Sequence, residues 1–204
     1  MKNTICPTID YSVIPNWTDD SLLPYAFEGS NETTSKYTSP YMCNMHMFYS
    51  RFCYTEDRLQ LIEGFLKYRK YLFENVYTIL PEVQGIQWIG GSFCEDSESS
   101  RKSPPHDIDV LTSLMYPGVL SEDQREALHL SINTFEKKQF FKETLKIDSY
   151  YNLFDSSTAF FENTMKTTAF WVGLWSHTRS PGKRKGFIQL SMDPLDDKDL
   201  FRRL

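Results

Sequence analysis

Ile89-Gly90-Gly91-Ser92-Phe93, followed after a polar spacer by Asp107-Ile108-Asp109-Val110, decides how this chain is read. In an extended strand alternate residues share a face, so Asp107 and Asp109 converge on one side while Ile108 and Val110 turn into a core. Carboxylates held that close repel one another unless a cation lies between them. A divalent ion is the simplest, and Mg²⁺, which takes oxygen ligands and sits with substrate phosphates, fits best; Mn²⁺ can substitute. The turn supplies the complement. Glycines let backbone N–H groups approach an anion and the Ser92 hydroxyl adds a donor, so Gly90, Gly91 and Ser92 are the expected phosphate cradle. Each half has a plainer reading on its own, since Asp-x-Asp suits a solvated strand face and paired glycines suit any turn. Their conjunction is what points to a site.

The arrangement resembles the nucleotidyltransferase superfamily, particularly its polymerase-beta-like and minimal members. Their pattern is a hydrophobic residue, Gly, Gly or Ser, a spacer, then Asp-hydrophobic-Asp/Glu-hydrophobic. Ile89-Gly90-Gly91 and Asp107-Ile108-Asp109-Val110 match it residue by residue. The chain is also similar to uncharacterised bacterial members with a Gly-Ser-Phe turn, a Pro shortly before Asp-Ile-Asp, and a late Lys-Gly-hydrophobic strand. Here those are Gly91-Ser92-Phe93, Pro105 and Lys185-Gly186-Phe187-Ile188, and the resemblance spans roughly residues 50–190. The spacer from Ser92 to His106 is longer than in the superfamily. Glu95 to Pro105 is polar and ends in Pro104-Pro105, so a loop insertion is expected there.

The resemblance implies an α+β fold, a nucleotidyltransferase-like small mixed β-sheet with flanking helices. It also implies a two-ion Mg²⁺ site, with ions about 3.5–4 Å apart, and a nucleoside triphosphate (NTP, ATP included) as substrate. The superfamily places a third acid on the strand after the intervening helix. Asp148, following Ile147, fits that place and is expected to join Asp107 and Asp109 as a metal ligand and to accept the proton of the attacking hydroxyl. Asp155 competes, but it precedes Ser156-Ser157-Thr158 and reads as a helix cap. Lys185, with Lys183, Arg184 and Arg179, forms the strongest local basic cluster and is the expected nucleotide-binding lysine; a charged, solvated turn is the plainer reading.

A formal charge of −5 over 204 residues supplies no global field for nucleic acid, while 40% hydrophobic and 15% aromatic residues exclude a largely disordered chain. No apolar run approaches the roughly 20 residues of a membrane span, and Met1-Lys2-Asn3-Thr4 opens no signal core, so a cytoplasmic protein without membrane attachment is expected. Cys6, Cys43, Cys53 and Cys94 are scattered, as in a reducing compartment. Cys43-Asn44-Met45-His46 with Cys53 lacks a convincing fourth zinc ligand. Cys94 reads as a buried thiol.

Residues 1–40 read as an extended N-terminal arm that packs Tyr11, Ile14, Trp17, Leu22 and Phe27 onto a domain formed by residues 41–204. Thr55 caps a helix that ends before Pro81, with Ser50, Arg51 and Arg58 framing its start; a reach to phosphates is one reading of them and solvated helix-surface arginines the plainer one. Gln87-Trp88-Ile89 is a short strand and Asp107–Leu114 a second. Ser121 to Gln124 is a capping box for a helix burying Leu128, Ile132 and Phe135. Leu145–Leu153 is a third strand, Ser156 to about His177 a helix with Phe160, Phe170, Trp171 and Leu174 inward, and Gly186–Met192 a last strand. His106 alternates off the carboxylate face, and Arg101 and Lys102 share the basic cluster's status.

Together these features predict a nucleotidyltransferase acting on a hydroxyl of a protein or tRNA-like RNA acceptor; the resemblance makes a bacterial toxin–antitoxin or phage-defence (antiviral) setting plausible. A catalytically silent protein of the same fold, holding a partner protein through the arm, is the alternative. A phosphohydrolase using similar acids is a third.

Overall fold

The computed structural model describes residues 13–26, 38–156, 160–178 and 182–201. In chain order these form β1 (Tyr41–Cys43), α1 (Met45–Phe52), α2 (Glu56–Ile79) and β2 (Gln84–Gly90), then a 3-10 turn (Gly91–Cys94), α3 (Ser97–Arg101) and β3 (Ile108–Met115). The remainder is α4 (Glu122–Ile132), α5 (Phe135–Leu145), β4 (Ile147–Phe154), α6 (Phe160–Trp175), β5 (Ile188–Ser191) and α7 (Pro194–Phe201). The fold is α+β. One mixed sheet of five strands, ordered β1-β5-β2-β3-β4, carries helices on its faces. β2 runs antiparallel to both β3 and β5, whereas β1 is parallel to β5 and β4 to β3.

Period-two alternation divides the sheet's side chains cleanly. Ile89, Ile108, Val110, Leu114, Ile147, Ile188 and Leu190 enter the main core with α1, α2, α4 and α5. Trp88, Leu111, Tyr150 and Phe187 point the other way, into a second cluster closed by Trp171 and Trp175 of α6. The acids at positions 109 and 148 have the parity of this second face. One face of the sheet thus carries the main core, while the other is roofed by the aromatic residues of α6.

α2 is the backbone of the core face. Thr55 accepts from the Arg58 N–H at its N-terminus, and Glu56 and Asp57 sit in the first turn, where the helix dipole favours negative charge. It buries Ile62, Phe65 and Leu72 completely, and with them Arg69, whose guanidinium is held by Asp197, the Gln87 side chain and the Ser191 carbonyl. A buried cation is tolerable only with that many partners, and these tie α7 to the sheet.

Several boundaries differ from the sequence expectation, each for a local reason. The spacer is not a bare loop: Asp96 caps α3 through the Ser99 N–H. The capping box of Ser121 and Gln124 is formed, but Asn133 ends that helix and Thr134 caps a new one, so Phe135 opens α5 and is 76% exposed instead of buried. Leu145 ends α5, and the third strand begins at Ile147. On α6 only Trp171 of the expected inward residues with a described side chain is buried; Phe170 and Leu174 are exposed. Asp155 accepts from the Leu120 N–H and pairs with Arg125, while the start of the helix it is expected to cap, at residues 157–159, lies outside the described residues. Of the arm, Leu22 and Leu23 are buried, and Ile14 and Trp17 pack on the core; Tyr11 and Phe27 lie outside the described residues.

Candidate active site

β3 begins at Ile108, so Asp107 stands just ahead of the strand and Asp109 is its second residue, one boundary position later than the sequence predicts. In the sheet register Asp109 faces Gly90 on β2 and Asp148 on β4. Asp107, Asp109 and Asp148 all line one cleft of about 820 Å³, together with Gly91, Ser92 and Lys185. That volume suits a small-molecule ligand, which typically occupies ~300–1,000 Å³. Gly90 does not line it. Its α-carbon faces the Trp175 ring, where an added Cβ would come within 2.5 Å, so glycine here lets α6 close on the strand end.

Gly91 is the hinge of the arrangement. Its φ is +64°, and a Cβ there would lie 1.6 Å from Asp109 Oδ2, so both backbone conformation and space demand glycine. The carboxylate therefore lies directly against the turn expected to hold phosphate.

The turn is secured from below and from the side. Arg58, fully buried, donates to the Phe93 carbonyl (3.0 Å) and the Glu95 carbonyl (2.6 Å) and pairs with Glu98 (2.6 Å). It supports the turn and does not reach for phosphate. Arg51 donates to the Pro15 carbonyl and stacks on Trp17, which likewise removes it from that role. The Cys94 thiol donates to the Ile89 carbonyl, and burial pushes its pKa up to about 12, so it is an inert core thiol. Lys185 donates to the Gly91 carbonyl (2.8 Å) and pairs with Glu95 (2.5 Å), which fixes its ammonium to the turn. Neither expectation for Arg58, a reach to phosphate or a solvated helix surface, is met, because helical position alone does not reveal which side meets a loop some forty residues on.

The charges of the cleft sort into pairs with one remainder. Lys183 meets Asp20 at 2.5 Å, Arg101 meets Glu95 at 3.2 Å, and Lys142 meets Asp148 at 2.6 Å. Asp107 and Asp109 alone of the acids lining the cleft have no salt bridge among the described residues. Burial, then the neighbouring Asp107 and Asp148 carboxylates, raise the Asp109 pKa to about 6. His106 also lines the cleft despite its off-face parity, because it precedes the strand. Arg184 lies over Tyr25 instead of the cleft, and Arg179 falls outside the described residues. Two cleft residues had no clear sequence signal: Lys142, a helix-surface lysine, and Trp175, read only as part of a helix.

Among the described residues no three His, Cys, Asp or Glu side chains form a ready-made metal cage. The donor chemistry nevertheless fits a hard divalent cation: Asp107 and Asp109 offer only oxygen, have no salt bridge among the described residues, and Asp109 is perturbed by burial and then by its acidic neighbours. Asp148 is within the same cleft but engaged by Lys142.

Fold and cleft together define an α+β protein with a carboxylate-bearing cleft at the end of a mixed sheet, beside a glycine turn. The chain belongs to DUF6932, a family of unknown function, whose model matches residues 15–191. No curated protein and no solved structure matches it. No described helix is long and apolar enough to cross a membrane.

Proposed function

We propose that this protein is a Mg²⁺-dependent nucleotidyltransferase. The observation that carries the reading is the pair Asp107 and Asp109, without a salt bridge among the described residues in an otherwise charge-paired cleft, with Asp109 lying against the Gly91 turn. The superfamily resemblance of the Gly-Gly-Ser and Asp-Ile-Asp stretches supports it independently of that geometry.

In this reading Asp107 and Asp109 hold the cation, and Asp148 joins them once released by Lys142. A divalent ion bound there supplies charge neutralisation to the triphosphate and the leaving pyrophosphate. The turn at Gly91 and Ser92 receives the phosphates, with its geometry held by Arg58 and Lys185. Asp148 accepts the proton of the acceptor hydroxyl; the hydroxyl oxygen bonds to the α-phosphorus, the bond to the β-phosphate bridging oxygen breaks, and pyrophosphate leaves. Leu174 and Trp175 form the apolar wall. The acceptor is a protein or RNA hydroxyl, and the setting a cytoplasmic one, with toxin–antitoxin or phage defence as the contexts the resemblance implies.

Incubation with labelled nucleoside triphosphates, Mg²⁺ or Mn²⁺, and protein or RNA acceptors tests this. The reading requires an adduct and released pyrophosphate that disappear in Asp107→Asn and Asp109→Asn. Transfer unchanged in both variants sinks it, and release of phosphate or nucleoside monophosphate without adduct favours a phosphohydrolase.

A second reading rests on the Lys142–Asp148 ion pair, which already neutralises the third acid. A catalytically silent protein of this fold, working through a partner protein, has use for such a pair. It binds no Mn²⁺ with or without nucleotide.

A further inference from the structure

Lys142 stands out among the cleft's cations by how it is mounted. Of the lysines within α5, namely Lys137, Lys138 and Lys142, it is the one that lines the cleft. Its neighbour Phe141 is fully buried against Tyr68 and Tyr71, which pins the helix at this turn. The anchor is therefore rigid while the side chain is 55% exposed, and its ammonium meets Asp148 Oδ2 at 2.6 Å. Lys185, by contrast, is buried and committed to two oxygens of the turn and its flank.

An ammonium resting on a carboxylate that is to hold a divalent cation cannot stay when that cation arrives, because the two positive charges compete for the same oxygens. A lysine stem rooted on the cleft wall then has a second anion within the same cleft to move to. Building on the nucleotidyltransferase reading, we infer that Lys142 is a ligand of the nucleotide's phosphates, held on Asp148 until metal and triphosphate enter together. Lys142 thus makes the two bind cooperatively: each ligand is favoured where the other has already freed or claimed the lysine. Metal alone has to displace the lysine from Asp148, and triphosphate alone meets the unscreened acids.

The test uses the full chain and Lys142→Met, which keeps the aliphatic stem and helix propensity, with Lys142→Arg as the charge-retaining control. Free Mn²⁺ is followed by electron paramagnetic resonance, with and without a non-hydrolysable nucleoside triphosphate, and triphosphate affinity is measured at saturating Mn²⁺. In Lys142→Met, Mn²⁺ alone binds roughly three- to fivefold tighter, as expected for removal of a partly exposed ion pair. Triphosphate binds about tenfold or more weakly, as expected for loss of a charge-assisted hydrogen bond to phosphate, so the cooperativity collapses. Lys142→Arg retains most of the triphosphate affinity. Unchanged Mn²⁺ and triphosphate affinities in Lys142→Met overturn the inference while the wild type's metal-dependent nucleotide binding leaves the proposed function standing. Tighter Mn²⁺ with unchanged triphosphate affinity also overturns it, reducing Lys142 to a counter-ion. A wild type that binds neither ligand overturns both.

Discussion

Asp109 and Asp148 are register partners on the parallel strands β3 and β4, and both carboxylates face the same cleft. Adjacent strands of a sheet lie about 4.8 Å apart, so two same-face acids in register are obliged to sense one another. Asp148 answers this with Lys142, whereas Asp109 has no such partner among the described residues and its pKa climbs.

That climb has a consequence for stability. Asp109 is raised from 3.8 to about 6, so the folded protein binds this proton more tightly than the unfolded chain. The stabilising proton is fully present below the unfolded pKa and is lost as pH rises through about 6. Metal-free protein should therefore gain stability on the order of 2 kcal/mol from this group between pH 7 and pH 4. Asp109→Asn should raise the melting temperature at pH 7 and remove that part of the pH dependence. Identical pH profiles for the two proteins in a thermal melt would contradict the account.

Gly91→Ala should cost about 2–4 kcal/mol, combining left-handed backbone strain with overpacking against Asp109. Gly182→Ala is the matched control: its φ is +86° but an added Cβ meets nothing within 4 Å among the described residues, so the backbone penalty of about 1 kcal/mol is the expected cost. Urea denaturation measures the difference. Equal losses would mean that Asp109 yields freely, and the tight contact between turn and carboxylate would lose its significance.

Arg58→Met should destabilise the protein by about 3–5 kcal/mol, because Glu98 and two carbonyls of the turn lose a buried partner. It should also weaken nucleotide binding at temperatures where the protein stays folded, since the turn is what Arg58 holds. A variant that is less stable yet binds nucleotide as tightly as wild type would confine Arg58 to a structural role.

The features that read correctly from sequence were those whose physics is local. Period-two alternation placed Ile108 and Val110 in the core, the Ser121 capping box formed, and Thr55 capped the long helix. What failed depended on distant partners. Phe135 and Leu174 fit a helical apolar stripe, yet a helix break at Asn133 and the aromatic packing of Trp171 and Trp175 leave both exposed. Arg58 reads as a solvated helix arginine until the turn near Phe93 folds over it. Lys142 and Trp175 carry no motif, because nothing in their local sequence records which sheet edge α5 and α6 will cover.

The central claim is that Asp107 and Asp109 hold a divalent cation beside a nucleotide laid on the Gly91 turn. A crystal soaked with Mn²⁺ and a non-hydrolysable nucleoside triphosphate, measured for anomalous scattering, tests it most directly. The account predicts a manganese peak between the Asp107 and Asp109 carboxylates, with phosphate density against Gly91 and Ser92. Manganese elsewhere, or triphosphate bound away from that turn, would contradict it.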